Sequence, residues 1–127
     1  MKFLQASVPF IFLGLNLVAS SSFACNILDV NTDKVGSLVG GTVLDANGAT
    51  VGSLSGGSQI LSSSGALLAT VSGTRILEPN QRVAGTTSPT AVGISIYDSN
   101  GFLVGSAPGC TSAQAGAGGF LLLLQDQ

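Results

Sequence analysis

TVLDANGATVGSL (Thr42–Leu54) reads as one β-hairpin, and sixteen residues earlier the chain already spells NILDVNTDKVGSL (Asn26–Leu38). The shift of sixteen lays Ile27-Leu28-Asp29-Val30-Asn31 over Val43-Leu44-Asp45-Ala46-Asn47, and Val35-Gly36-Ser37-Leu38 over Val51-Gly52-Ser53-Leu54. A third copy follows in Ile60-Leu61-Ser62-Ser63-Ser64-Gly65 and Leu68-Ala69-Thr70-Val71. The fourth, Ile76-Leu77-Glu78-Pro79-Asn80 and Val83-Ala84-Gly85, is degenerate. The fifth is clear again in Ile96-Tyr97-Asp98-Ser99-Asn100-Gly101 and Val104-Gly105-Ser106-Ala107.

Each copy has one physical sense. An aliphatic pair ends at Asp, Ser or Glu, and a turn follows, centred on Asn47-Gly48, Ser64-Gly65 or Asn100-Gly101. Asn-Gly is the favoured pair of a two-residue type I′ turn, whose two central residues both need φ > 0. The chain returns through VGS, where a glycine in mid-strand signals a bend or a close backbone approach. VGG, SGG and SGT then link one copy to the next with turn-forming residues. No segment after the N-terminal apolar run holds a 3.6-residue period over ten residues, so the expected class is all-β. It is a meander of about five 16–17-residue hairpins forming a barrel, a sandwich or a short β-solenoid. Tandem apolar pairs such as Val43-Leu44 and Ile60-Leu61 place large groups on both sheet faces, which closure, stacking or assembly with other chains would cover. Tyr97, at the Leu44 position, is expected in the core.

The first 24 residues have the make-up of a secretory signal. Lys2 supplies the positive start, Phe10–Ala19 the apolar run, and Ser22 and Ala24 the small residues before a cut at Cys25. A lipoprotein signal would also bring Cys25 to the front, but Ser22 and Phe23 are wrong for it. The expected location is secreted, at the cell surface or periplasmic, with no transmembrane segment in the processed chain.

From residue 25 onward, three cations (Lys34, Arg75, Arg82) face six acids, giving 3 − 6 = −3. No basic patch exists to neutralise phosphates, which argues against nucleic acid as a partner. Two cysteines, Cys25 and Cys110, are an even count in an exported chain and read as one disulfide. Within one chain it would close a loop of about 86 residues and contribute about 4–5 kcal/mol on the chain-entropy model. Pairing between subunits is the other arrangement.

The end of the chain divides into a Gly/Ala/Ser-rich linker, residues 111–119, and an apolar run, Phe120-Leu121-Leu122-Leu123-Leu124, within the last segment 120–127. Aligned on Gly40–Leu44, the run reads as a strand with no return arm. An exposed strand of this kind invites pairing, so it either closes the domain on the first copy or adds to another chain.

Reactive chemistry is scarce. The chain has no His and no Trp, and its Ser residues have no evident base, so no catalytic residue, metal site or cofactor is expected. Asp29, Asp45 and Asp98 recur at one repeat position. Three carboxylates in register could ligate Ca²⁺, but Asp ahead of Asn-Gly more simply holds its own turn backbone.

The leading expectation is therefore a non-enzymatic structural β-repeat protein of the cell surface or matrix, self-assembling by strand addition through Phe120–Leu124, with itself as partner. The alternative is a monomeric binding module or adhesin that meets an unknown surface partner with its hairpin tips, through Asp45, Asn47, Gly48, Ser64, Gly65, Asp98, Asn100 and Gly101. Phe102 is either an exposed anchor of that surface or a core residue. A third reading has an inhibitor or effector presenting the loop EPNQR (Glu78–Arg82).

Overall fold

The computed structural model describes residues 24–125. Most of the expected signal segment therefore lies outside the described residues. Ten antiparallel strands close into a barrel: β1 (Cys25–Asp29), β2 (Lys34–Val39), β3 (Thr42–Asp45), β4 (Thr50–Ser55), β5 (Gln59–Ser62), β6 (Leu67–Ser72), β7 (Arg75–Leu77), β8 (Val83–Thr90), β9 (Gly93–Asp98) and β10 (Leu103–Ala107). Each strand pairs with its neighbours in sequence. The ring is shut by β10 on β1, through Gly105 opposite Asp29 and Ser106 opposite Leu28. Of the barrel, sandwich and solenoid that the repeat allows, the chain forms the barrel. Two strands make one repeat, so five repeats give the ring an approximate fivefold order.

The tandem apolar pairs now resolve. Ile27, Val43, Ile60, Ile76 and Ile96 point inward and are buried, whereas the next residue of each pair lies half-buried on the outer wall. Tyr97 belongs to that outer set, because the pleat turns it away from the inward-facing Ile96. The core place expected for it is corrected accordingly. Each large inward residue stands opposite a small one on the return strand: Ile27 opposite Gly36, Val43 opposite Gly52, Ile60 opposite Ala69, Ile76 opposite Gly85, and Ile96 opposite Gly105. A register shift follows in every repeat, just toward the hairpin tip. It is a β-bulge, which sharpens strand twist and bends the sheet toward closure.

The barrel interior is filled by the segment expected to be linker and strand. Residues Ser112–Gly119 form helix α1, and Phe120–Leu124 continue it as a π-helical segment. Neither the free linker 111–119 nor the strand 120–124 forms, and the reason is hydrogen bonding. Every strand of the closed ring already has two neighbours, so an extended segment inside it would leave its N–H and C=O groups without partners. A helix satisfies those groups within itself. Thr111 caps its start: its Oγ1 accepts from the Gln114 N–H at 3.2 Å, and the Gln114 Oε1 accepts from the Thr111 N–H at 2.9 Å.

The fit between helix and wall is reciprocal. Where the wall is large, the helix is glycine. A Cβ on Gly116 would stand 2.9 Å from Val71, one on Gly118 2.5 Å from Ile27, and one on Gly119 2.9 Å from Ile96. Where the wall is glycine, the helix is leucine. A Cβ on Gly36 would stand 2.5 Å from Leu122, on Gly52 2.7 Å from Leu121, on Gly85 2.8 Å from Leu124, and on Gly105 2.6 Å from Leu123. Successive residues 121, 122, 123 and 124 thus meet the second, first, fifth and fourth repeats in their order round the ring. An α-helix turns about 100° per residue, whereas fivefold repeats are spaced by about 72°. The wider π winding, with its i→i+5 bond from the Gln125 N–H to the Phe120 carbonyl at 2.8 Å, turns less per residue and comes closer to that step.

The disulfide joins Cys25 at the start of β1 to Cys110, just ahead of the helix, with Cα atoms 5.4 Å apart. It is intramolecular and fastens the entry of the inner helix to the wall.

Candidate functional site

All five hairpin tips project from one end of the barrel: Asp29–Asp33, Asp45–Ala49, Ser62–Ala66, Glu78–Arg82 and Asp98–Phe102. The inter-repeat links, the disulfide and the start of the helix occupy the other end. The five tips share one hydrogen-bonded form. In the second, the Asp45 N–H donates to the Ala49 carbonyl at 2.9 Å and the Gly48 N–H to the Asp45 carbonyl at 3.0 Å, and each of the others repeats this pair within 0.2 Å.

This geometry corrects the type I′ expectation. Gly48, Gly65 and Gly101 have positive φ, but Asn47, Ser64 and Asn100 do not. The loops are three-residue connections in which a left-handed residue follows an ordinary β-turn. The aspartate selects that form. The Asp45 Oδ1 accepts from the Asn47 N–H at 2.9 Å and from the Ala49 N–H at 3.0 Å. Asp29 and Asp98 do the same in their own tips. In the third tip the Ser62 Oγ accepts from the Ala66 N–H at 3.1 Å. The longer Glu78 makes no such bond, and the Asn80 Oδ1 accepts from the Arg82 N–H instead, at 3.0 Å.

Each recurring carboxylate is thus engaged with its own loop, and the three lie on separate tips. Among the described residues, no three acidic, Cys or His side chains group so as to hold a metal ion. Asp45, Asn47 and Gly48, then Ser64 and Gly65, then Asp98, Asn100 and Gly101 come to one end of the molecule, each set confined to its own loop.

Two features of this end were not evident from the repeat. The first is apolar exposure at the seam where the fifth repeat meets the first: Phe102 is 69% exposed, Val30 55% and Leu103 49%. Beyond the Gly105–Asp29 pair, the wall continues into Val104 and Leu103 on one side and Val30 on the other. Phe102 is therefore exposed, in the fifth tip, and not in the core. The third residue past the start of the tip is Gly in the second, third and fifth copies, and the aromatic immediately after it in the fifth was the available signal. The second feature is a cavity of about 490 Å³ beside the π-helical segment, with Phe120 and Leu124 at its apolar side and Glu78, Arg82 and Asn100 at its polar side.

The charge at this end is lopsided, with Asp29, Asp33, Asp45, Glu78 and Asp98 against Lys34 and Arg82. Among the described residues no helix is long and apolar enough to cross a membrane. The strands, of 3 to 8 residues, are shorter than the roughly 9–11 that a membrane-spanning strand needs. No family model matches the chain, and neither a curated protein nor a solved structure matches it.

Proposed function

We propose that this protein is a monomeric, non-catalytic extracellular binding module that meets its partner with the hairpin-tip end of the barrel. The observation that carries this reading is where the apolar run goes. Phe120–Leu124 lies inside a ring whose ten strands are all paired on both sides, so neither a donor strand nor an open edge is left for assembly by strand addition. Self-assembly through that segment, the leading expectation from sequence, gives way to the alternative.

The tips suit recognition because they are already rigid. Each is closed by two backbone bonds, and three by two further bonds to an aspartate, so little conformational entropy remains to be lost on binding. Phe102, flanked by Val30 and Leu103, gives an apolar anchor of the kind that dominates interface energies, and the acidic surround favours a basic partner surface. The disulfide fits an oxidising, extracellular setting.

Two measurements on oxidised protein comprising residues 25–127 test the reading. Light scattering should give a monomer mass, and electron microscopy should show discrete particles; filaments would return the structural reading to first place. Binding to cell-surface preparations of the source species should be saturable and should fall at least tenfold in Phe102→Asn. Equal binding by the two proteins, or none by either, would sink the tip-end reading.

A further inference from the structure

The cavity marks the place where the fourth repeat departs from the others. Six residues after the first residue of each tip stand Val35, Val51, Leu68, Ala84 and Val104, all packed against the core. Alanine is the smallest of the five, and the cavity of about 490 Å³ opens beside it. Next along the strand is Gly85, so between Val83 and Thr86 the wall offers a single methyl as side-chain volume. The cavity's lining is more polar than apolar: Ala84, Phe120 and Leu124 give apolar contact from the wall and the inner helix, and Glu78, Arg82 and Asn100 are among the polar groups.

The geometry points to a binding site for a small zwitterion with an apolar side chain, such as a large aliphatic amino acid. The lining carries one carboxylate and one guanidinium, at the two ends of the same tip, with the Glu78 N–H donating to the Arg82 carbonyl at 2.8 Å. Glu78 is matched to an ammonium group and Arg82 to a carboxylate, while the Asn100 carboxamide can serve either. A fatty acid would set its head against Glu78, and an alkylamine would set its head against Arg82. A ligand bearing both charges on adjacent atoms satisfies both residues. Ala84, Phe120 and Leu124 offer contact to its apolar side chain beside these polar groups. This site is separate from the Phe102 seam and does not depend on a macromolecular partner.

The test is an amide NMR titration of the oxidised protein with L-leucine, and with N-acetyl-leucine and leucinamide as probes lacking one charge each. Leucine should shift the resonances of Ala84, Asn100 and Leu124 with roughly millimolar affinity, the range open to so small a ligand. Each singly charged probe should bind about tenfold more weakly. Ala84→Val restores the residue of the first, second and fifth repeats and narrows the space at its wall, so it should keep the fold and weaken leucine binding. Arg82→Gln, at an exposed position, should weaken leucine but leave leucinamide unchanged. Full leucine binding by Ala84→Val, equal binding of all three probes, or no shifts in the unsubstituted protein would each overturn the assignment.

Discussion

Gly118 of the inner helix and Ile27 of β1 approach so closely that a methyl group on Gly118 would stand 2.5 Å from the Ile27 Cδ1 and 2.6 Å from its Cγ1. The contact gives an unusual expectation for a helix. Replacing a helical glycine by alanine ordinarily stabilises by about 1 kcal/mol. Here Gly118→Ala should destabilise by about 1–3 kcal/mol, because the methyl overpacks the core. Paired with Ile27→Val, the cost should shrink by about 1 kcal/mol or more in a double-mutant cycle read by urea denaturation. A stabilising Gly118→Ala would mean that the helix does not sit in the ring.

The left-handed tip position is filled by glycine in three repeats, but by Thr32 (φ 65°) in the first and Gln81 (φ 71°) in the fourth. A β-branched residue is strained there. Thr32→Gly should therefore raise stability, by about 1 kcal/mol, and Gln81→Gly by somewhat less. Gly48→Thr should do the reverse. Thermal melts of the three variants check the signs.

Thr87 takes an inward place that Leu38 and Ala107 fill in other repeats. It is 3% exposed, and its Oγ1 has no hydrogen-bond partner among the described residues. An unpartnered buried hydroxyl costs about 1–3 kcal/mol, and valine has the same shape without it. Thr87→Val should raise the denaturation midpoint with no change in the slope of the transition.

Ending the chain after Cys110 removes Phe120, Leu121 and Leu124 from the core along with Ala115 and Ala117. The three large side chains alone represent about 5–9 kcal/mol of burial, against a total stability of about 5–15 kcal/mol for a domain. The emptied ring adds a cavity cost. The shortened protein should show no cooperative melt. A cooperative transition within a few degrees of the full chain's would show that the ring holds without its filling.

Serine at both Cys25 and Cys110 should leave the fold in place and lower stability by about 4–5 kcal/mol on the chain-entropy account. The fastest-exchanging new amides should be those of α1, since the bond fastens its entry. Uniform loss of protection along all ten strands would contradict that local role.

What could be read from the residues, and what could not, follows from how each signal works. The repeat carried the strands, the tips and the links because period and turn chemistry are local. Gly36 and its equivalents even announced a close approach, without saying what approached. The apolar run Phe120–Leu124 misled for two reasons. Five apolar residues fit a buried strand or a buried helix equally well. The preceding AGAGG is also poor helix material by propensity, and only burial against Ile27, Ile76 and Ile96 makes those glycines favourable. A usable signal existed: a fixed small residue in four copies calls for a filler with several large side chains, and the run of leucines was the one segment able to supply them. In the tips, Asp45 three residues ahead of Gly48 outweighed the Asn-Gly preference, because its carboxylate fixes the longer loop. The cavity was legible only as the smaller residue of a degenerate copy, Ala84, and its meaning needed the helix in place.

The order of segments along the chain has a consequence for synthesis. The ring is shut by strands at opposite ends of the repeat region, β1 and β10, and the helix that fills it follows all ten. A nascent chain that has only reached β10 has walls and nothing to wrap them around. The protein therefore cannot ripen strand by strand as it emerges. It stays open until residues 115–124 have left the ribosome, so almost the whole chain is made before the fold can close.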